Sequence, residues 1–301
     1  MAPSRGLRQE MIEHMNRDIL ALIHENMDTF SKGQKRIANY ILESYDKAAF
    51  MTASKLGKRV NVSESTVVRF AAELGYDGYP SMQRSLQKMI RNRLTSVQRI
   101  EVANDRMGDQ DVLDMVLQSD IDKIRLTLEE IDRESFDRAA DAIVNAKRIY
   151  IIGLRSSAAI ATFMGFYFNL LFDNVVMIAA NTVSEVLESL LRVGEEDVVI
   201  GISFPRYSSR AVQAMSFARD RGATTVAITD SEVSPLASIA QYTLKARSDM
   251  ASFVDSLVAP LSLVNALLVA VSRKKNEDLS KTFESLEKIW EEYGVYEKTL
   301  E

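Results

Sequence analysis

Apolar positions recur at three- and four-residue intervals through the first ninety residues, and in the second half they give way to short continuous runs. In the first stretch the period predicts helices over about 7–25, 32–44, 53–59, 64–74 and 81–92. Thr52 and Ser63 each stand one residue ahead of a helical pattern, where a hydroxyl caps free backbone N–H groups. Between those two helices, Val60-Asn61-Val62 supplies a tight turn, and Asn61 tolerates the left-handed conformation such a turn demands. Val67, Phe70, Ala71 and Leu74 share one face of the second helix and are expected in the core, which leaves Ser65, Thr66 and Arg69 outside near its start. A helix-turn-helix that offers the beginning of its second helix to the DNA major groove has this pattern. A small helical hairpin of purely structural role is the plainer alternative.

After helices expected at about 109–130 and 134–146, the runs Ile149–Ile152, Val175–Ile178, Val198–Ile202, Thr225–Ile228 and Tyr242–Leu244 alternate with amphipathic helices. Continuous β-branched runs separated by helices predict a five-stranded parallel sheet covered on both faces. The fold class is therefore two-domain: an all-α helix-turn-helix domain over 1–91, a linker over 92–118 and an α/β doubly wound domain over 119–301. Within the linker, the polar stretch Asn104–Asp109 reads as a hinge. A last helix carries Leu279, Phe283, Leu286, Ile289 and Trp290 as an apolar stripe, fit either to close its own domain or to pack on a second subunit.

Charge sharpens the first half. Residues 31–93 hold twelve Lys or Arg against five Asp or Glu, whereas the whole chain has 37 against 42. Basic charge gathered on a helix-turn-helix within an acidic protein is the electrostatic footprint of a phosphate-backbone reader. Lys58, Arg59 and the helix after Pro80, with Arg84, Lys88, Arg91 and Arg93, are placed to position the domain on that backbone. Cysteine is absent, which removes disulfides, thiolate metal sites and cysteine nucleophiles. No charge-free run is long enough to span a bilayer and no apolar leader opens the chain, so a cytoplasmic location is expected.

Candidate chemistry in the second half lies where strands run into helices. Gly153-Leu-Arg-Ser-Ser157 follows the first strand and Ser203-Phe-Pro-Arg-Tyr-Ser-Ser-Arg210 the third. Hydroxyls and free N–H groups at a helix start make an anion site, and Arg155 and Arg206 add planar cations. The candidate ligand residues are Gly153, Arg155, Ser156, Ser157, Ser203, Arg206 and Ser208, with Ser248 at the rim. Ordinary caps and surface arginines would produce the same composition.

These segments resemble an RpiR/MurR-type bacterial transcriptional regulator, with a winged-type helix-turn-helix domain followed by a sugar isomerase (SIS) domain. The resemblance rests on Phe30–Leu42, Phe50–Leu56, Val62–Phe70 and Leu74–Tyr79, and spans roughly residues 15–271. Where the family usually has Gly in the helix-helix turn, this chain has Asn61. The usual loop Gly-x-Gly-x-Ser keeps Gly153 and Ser157 but has Arg155 for the second Gly. The usual Ser-x-Ser-Gly-x-Thr keeps Ser203, has Ser208 for Thr, and has Pro205 and Arg206 for Ser-Gly. The resemblance implies a phosphosugar effector held by Ser157, Ser203 and Ser208. Arg155 and Arg206 suggest selection of a more anionic or smaller ligand. It also implies a homodimer or homotetramer on a palindromic double-stranded DNA operator, read by Ser63, Ser65, Thr66 and Arg69 with Lys58 and Arg59 on phosphates. An aldose-ketose phosphosugar isomerase is the rival reading, since SIS domains also occur in such enzymes. Both histidines, His14 and His24, lie outside the SIS segment; Glu185 or Glu188 could act as its base, and surface carboxylates on that helix are the plainer reading. A scaffold built on the SIS dimer is weaker still. With no metal-ligand spacing, phosphate-binding Walker loop or nucleophile elbow, no cofactor, metal or catalytic residue is expected.

Overall fold

The computed structural model describes residues 19–90, 95–107, 111–179, 182–249, 254–275 and 279–296. Contacts divide the chain into two compact units, Met1–Gln118 with Met250–Asp255, and Ser119–Asp249 with Ser256–Glu301. The chain therefore passes from one unit to the other three times, after Gln118, Asp249 and Asp255.

The first unit is built from α1 (Ile19–Glu25), α2 (Lys32–Glu43), α3 (Tyr45–Ala48), α4 (Ala53–Arg59), α5 (Glu64–Glu73), α6 (Tyr79–Ile90) and α7 (Ser96–Met107). Ser31 and Gln34 form a reciprocal capping box that fixes the start of α2. Ile37 and Ile41 of α2, Leu56 of α4, Val67, Phe70 and Ala71 of α5, and Met82 and Leu86 of α6 meet in one buried cluster. Phe30 and Phe70 pack there with ring centroids 5.0 Å apart. The helix after Gly78 is tied to the turn before α4: the Tyr79 hydroxyl and the Gln83 amide both donate to the Met51 carbonyl, at 2.7 and 2.8 Å. Burial pushes the Tyr79 phenol up to about 12.

Three expectations need correction or fall outside view. Asn104–Met107 continues α7 and is not a turn; Val102 and Ala103 are buried just before it, and no Gly or Pro interrupts the helix until Gly108. No β-strand occurs among the described residues of this unit, so the wing implied by the resemblance is not seen. The predicted helix before residue 19, His14, Arg91 and Arg93 lie outside the described residues.

The second unit opens within α8 (Val112–Glu130), which runs through the first crossing point, and continues with α9 (Arg133–Val144). There follow β1 (Ile149–Gly153), α10 (Ser157–Leu171), β2 (Val175–Ile178), α11 (Val183–Ser189), β3 (Val198–Ile202), α12 (Ser209–Asp220), β4 (Thr224–Thr229), β5 (Tyr242–Lys245), α13 (Val258–Lys274) and α14 (Leu279–Glu292). All five strands are parallel, in the order β2-β1-β3-β4-β5. Every residue of β1 and β3 is buried, because one face of the sheet packs on α9, α10 and α13 and the other on α11 and α12. The apolar stripe expected on the last helix is largely open: Phe283 and Ile289 are exposed, and Leu286 and Trp290 half-buried.

Candidate functional site

Two regions carry the sequence-predicted residues, one in each unit. In the first, α4 ends in two nested hydrogen bonds: Val62 N–H donates to the Gly57 carbonyl at 2.9 Å and Asn61 N–H to the Lys58 carbonyl at 3.4 Å. This is the Schellman closure, which needs a left-handed residue just past the helix. Asn61 supplies it at φ 55°. Gly57 allows the next helix to approach, since a Cβ there would lie 2.9 Å from the Val62 carbonyl oxygen. Sequence reasoning missed Gly57; a glycine inside an otherwise good helical pattern was the available signal.

Ser63 then opens α5. Its hydroxyl accepts from Thr66 N–H at 3.3 Å and lies 2.8 Å from both the Ser65 and the Thr66 hydroxyls, so three polar side chains cluster at the start of the helix. Arg69 Nε donates to the Ser65 carbonyl at 3.4 Å one turn later. Ser63, Ser65 and Arg69 are exposed and Thr66 is half-buried, while Val67, Phe70, Ala71 and Leu74 are all buried as the period predicts. Val68, not singled out from sequence, is exposed on this helix and offers an apolar surface of the kind that meets a thymine methyl group. Lys58 and Arg59 are exposed on α4, with the Arg59 guanidinium 5.9 Å from the centre of the Tyr40 ring. Arg84 is exposed on α6; the side chain of Lys88 is outside the described residues.

In the second unit the strand order reverses direction of growth at β1 and β3, which are direct neighbours with Gly153 opposite Ile202. The helices that follow them, α10 and α12, pack on opposite faces of the sheet. In parallel sheets that arrangement leaves a crevice at the carboxyl ends of the two strands, where ligands bind. Gly153-Leu-Arg-Ser-Ser157 and Ser203–Ser208 are the two loops at that place. Gly153 is required by packing: a Cβ would stand 2.6 Å from the Ser157 carbonyl oxygen and 2.8 Å from the Ala161 Cβ. Arg155 is exposed at φ 58°, a left-handed conformation in a residue other than glycine.

The hydroxyls divide by what they already hold. Ser203 is buried; its Oγ accepts from Ser208 N–H at 3.1 Å, and its carbonyl accepts from the Thr229 hydroxyl at 2.8 Å. Ser208 caps α12 by accepting from Ala211 N–H at 3.4 Å. Capping thus accounts for one lone pair of Ser208, as the plainer reading anticipates. Ser156 makes no capping bond; Ser157 is buried as a residue, and its hydroxyl makes no hydrogen bond among the described residues. Arg206 is exposed on the second loop, and there the Tyr207 hydroxyl donates to Asp230 at 2.8 Å. Ser248 departs from its expected place at the rim: it is fully buried beyond β5, two strands away from β3.

The isomerase reading named two carboxylates on α11. Glu185 is the N3 member of a capping box with Thr182, and Glu188 accepts from the Ser184 hydroxyl at 2.6 Å. Both are exposed and occupied locally. His24 lies on α1 of the other unit, and the described residues contain no cluster able to hold a metal ion.

Comparison with known proteins agrees with this division. Residues 17–93 match the model for the helix-turn-helix domain of the rpiR family, and residues 142–270 match the SIS domain. An HTH-type transcriptional regulator of Caldanaerobacter subterraneus subsp. tengcongensis is 26% identical over 90% of this chain and 96% of its own length. The Escherichia coli regulator HexR is 26% identical over 86% of this chain and 89% of its own. Among solved structures, Vibrio vulnificus NanR complexed with ManNAc-6P covers 93% of this chain and all of its own at 22% identity, with a TM-score of 0.57. The sugar isomerase domain of an RpiR transcription factor from Sphaerobacter thermophilus is 30% identical over 58% of this chain and 97% of its own, with a TM-score of 0.55.

Proposed function

We propose, for a chain that is an RpiR-type transcriptional regulator with a helix-turn-helix and a SIS domain, a sequence-specific DNA-binding switch governed by a phosphosugar. It acts in the cytoplasm on genes of carbohydrate metabolism. A dimer presents two copies of α5 to half-sites of a palindromic operator spaced by about one helical turn. Ser65, Thr66 and Arg69 reach base edges, Val68 lies against a thymine methyl, and Lys58, Arg59 and Arg84 meet phosphates. The effector sits at the carboxyl ends of β1 and β3, its phosphate on the hydroxyls of Ser157, Ser203 and Ser208 and the free N–H groups that open α10 and α12. Effector binding shifts the balance between two arrangements of the DNA-binding units, which requires a different affinity for each.

The observation that carries this reading is the placement of both hydroxyl-rich loops at the carboxyl ends of β1 and β3, the neighbouring strands at which the strand order reverses its direction of growth and whose helices pack on opposite faces. Dimerisation is supported by α8, on which Leu113, Leu117, Ile121, Ile124 and Leu128 are exposed at intervals of four, four, three and four residues. That is the spacing of a helix seam that packs on another helix, here a second copy. The local engagement of Glu185 and Glu188 supports a non-enzymatic role.

The test is selection of sheared genomic DNA by the full-length protein at near-physiological salt, repeated with a panel of phosphosugars. A few enriched fragments sharing a palindrome, released or retained differently by one sugar, is the expected result. Uniform, strongly salt-dependent retention would reduce the protein to a backbone binder.

A further inference from the structure

We infer that α2 is a further DNA-contacting helix, and that Lys32 and Arg36 on its exposed flank hold the phosphate backbone beside α5. This rests on the DNA-binding reading above and extends its surface to a helix outside the helix-turn-helix pair.

Three contacts lay α2 across that pair. A Cβ on Gly33 would meet the Val62 Cγ1 at 3.5 Å and the Thr66 Cγ2 at 3.6 Å, at the turn and the start of α5. The Gln34 amide donates to the Glu73 carboxylate at the other end of α5. Further along α2, the Tyr40 ring stands 5.9 Å from the Arg59 guanidinium at the end of α4. Residues three and four apart share a helix face, so Gly33, Arg36 and Tyr40 form one line beside the turn between α4 and α5. Ile37 takes the buried side of that line and Arg36 the exposed side. Lys32 is exposed one turn before Arg36.

This charge works against the helix that carries it. Lys32 is the first residue of α2, whose first turn has no acidic residue, and a cation there opposes the helix dipole. Lys32 and Arg36 are four residues apart, a spacing at which like charges repel. Arg59, held over Tyr40, adds a third cation close to Arg36, and none of the three has an ion pair among the described residues. Sequences break local rules of this kind where function repays them. A polyanion with evenly repeated charges repays this strip. The exposed start of α5, with Ser63, Ser65 and Arg69, adjoins it, so a duplex that receives α5 in its major groove brings bordering phosphates past α2.

Fluorescence-anisotropy titration of the full-length protein tests this, with a labelled duplex of random sequence and with a fragment selected from genomic DNA, each over a range of salt concentrations. Lys32→Gln and Arg36→Gln should each flatten the slope of log affinity against log salt by about 0.9, and the double variant by about 1.8. The loss should be the same on both duplexes, because phosphate contacts carry no sequence information. Glutamine keeps a good helix former at each position, and an unaltered melting curve confirms the fold. Lys47→Gln removes the same charge from α3, where Asp46 accepts from the Gln98 amide of α7 at 3.3 Å and Ala49, just after it, from the Gln87 amide of α6 at 2.8 Å. That variant should keep the wild-type slope. An unchanged slope in the double variant, or an equal flattening in Lys47→Gln, overturns the inference and leaves α5 as the reading helix. A loss confined to the selected fragment would make the two side chains base readers and overturns the phosphate assignment as well. If wild type retains neither duplex, the DNA-binding reading ends and the inference with it.

Discussion

The turn between α4 and α5 and the loop between β1 and α10 bend through nearly the same backbone conformation, at Asn61 with φ 55° and at Arg155 with φ 58°. In the turn, residue and conformation agree. Asparagine is the side chain best suited to the left-handed region after glycine, and the hydrogen bonds of Val62 and Asn61 to the end of α4 repay the bend. In the loop they disagree, because arginine has nothing local to gain there. The difference separates a residue chosen for its backbone from one retained for its side chain. On the proposed function, the first belongs to the helix pair that reads DNA and the second to the loop that holds the effector.

Substitutions sharpen that contrast, and the largest effects should come from glycines that fix each region. Gly153→Ala forces a methyl group to within 2.6 Å of a backbone oxygen and 2.8 Å of another Cβ, so α10 must move; a loss of about 3 kcal/mol is expected. Gly57→Ala meets a single carbonyl at 2.9 Å and should cost about 1–2 kcal/mol. Urea unfolding with hydrogen exchange read separately in each unit checks both, and a larger loss from Gly57→Ala would reverse the ranking of the two packing constraints.

Next comes a division of labour. Arg69→Ala should weaken operator binding by about 1–3 kcal/mol in a fluorescence-anisotropy titration and leave the effector affinity unchanged. Ser203→Ala with Ser208→Ala should do the converse, abolishing the response to effector at intact operator affinity. Loss of the Ser208 cap should lower stability by about 1 kcal/mol in the same variant, which a melting curve reads independently. If Arg69→Ala bound the operator as wild type does, α5 would lose its role as the reading helix.

The smallest effects bear on the comparison most directly. Arg155→Gly should stabilise the second unit by about 1 kcal/mol, and Asn61→Gly should change the first by no more than a few tenths. Equal gains from both, measured by chemical unfolding, would mean that Arg155 is as content in its loop as Asn61 is in its turn.

Much of this organisation is legible in the sequence where the determinant is local. β1 and β3 read as strands because Ile149–Ile152 and Val198–Ile202 are apolar without a break, and both are buried throughout. Helix α5 reads well because its cap, Ser63, and its core face, Val67 to Leu74, lie within twelve residues of one another. What escapes is whatever depends on an atom brought from elsewhere in the fold. The packing need for glycine at 57 and 153 escapes for another reason: its contacts with Val62, Ser157 and Ala161 are near in the chain but lie in backbone geometry that no period announces. Ser248 looked like a rim residue because it follows a strand, yet the strand order puts it two places away from the crevice and burial seals it. The last helix teaches the same lesson from the other side: the spacing of Phe283 and Ile289 defines a face without saying what covers it. The two loops were legible as hydroxyl-rich strand ends, whereas the left-handed backbone of Arg155 could be known only from geometry.

The threefold crossing of the chain has a bearing on how this regulator can be taken apart. Arg99 on α7 is almost fully enclosed, and its guanidinium donates to the Asp255 carboxylate at 2.9 Å, a residue that arrives from far downstream and groups with the first unit. A fragment ending at Gln118 would carry the cation without that carboxylate, and a buried cation that loses a carboxylate partner weakens whatever encloses it. The reading head is therefore not a cassette to be cut out at a single joint and grafted onto another sensor. A transplant that works must bring the Asp255 segment with it, or replace Arg99 with a neutral side chain that asks for no such visitor.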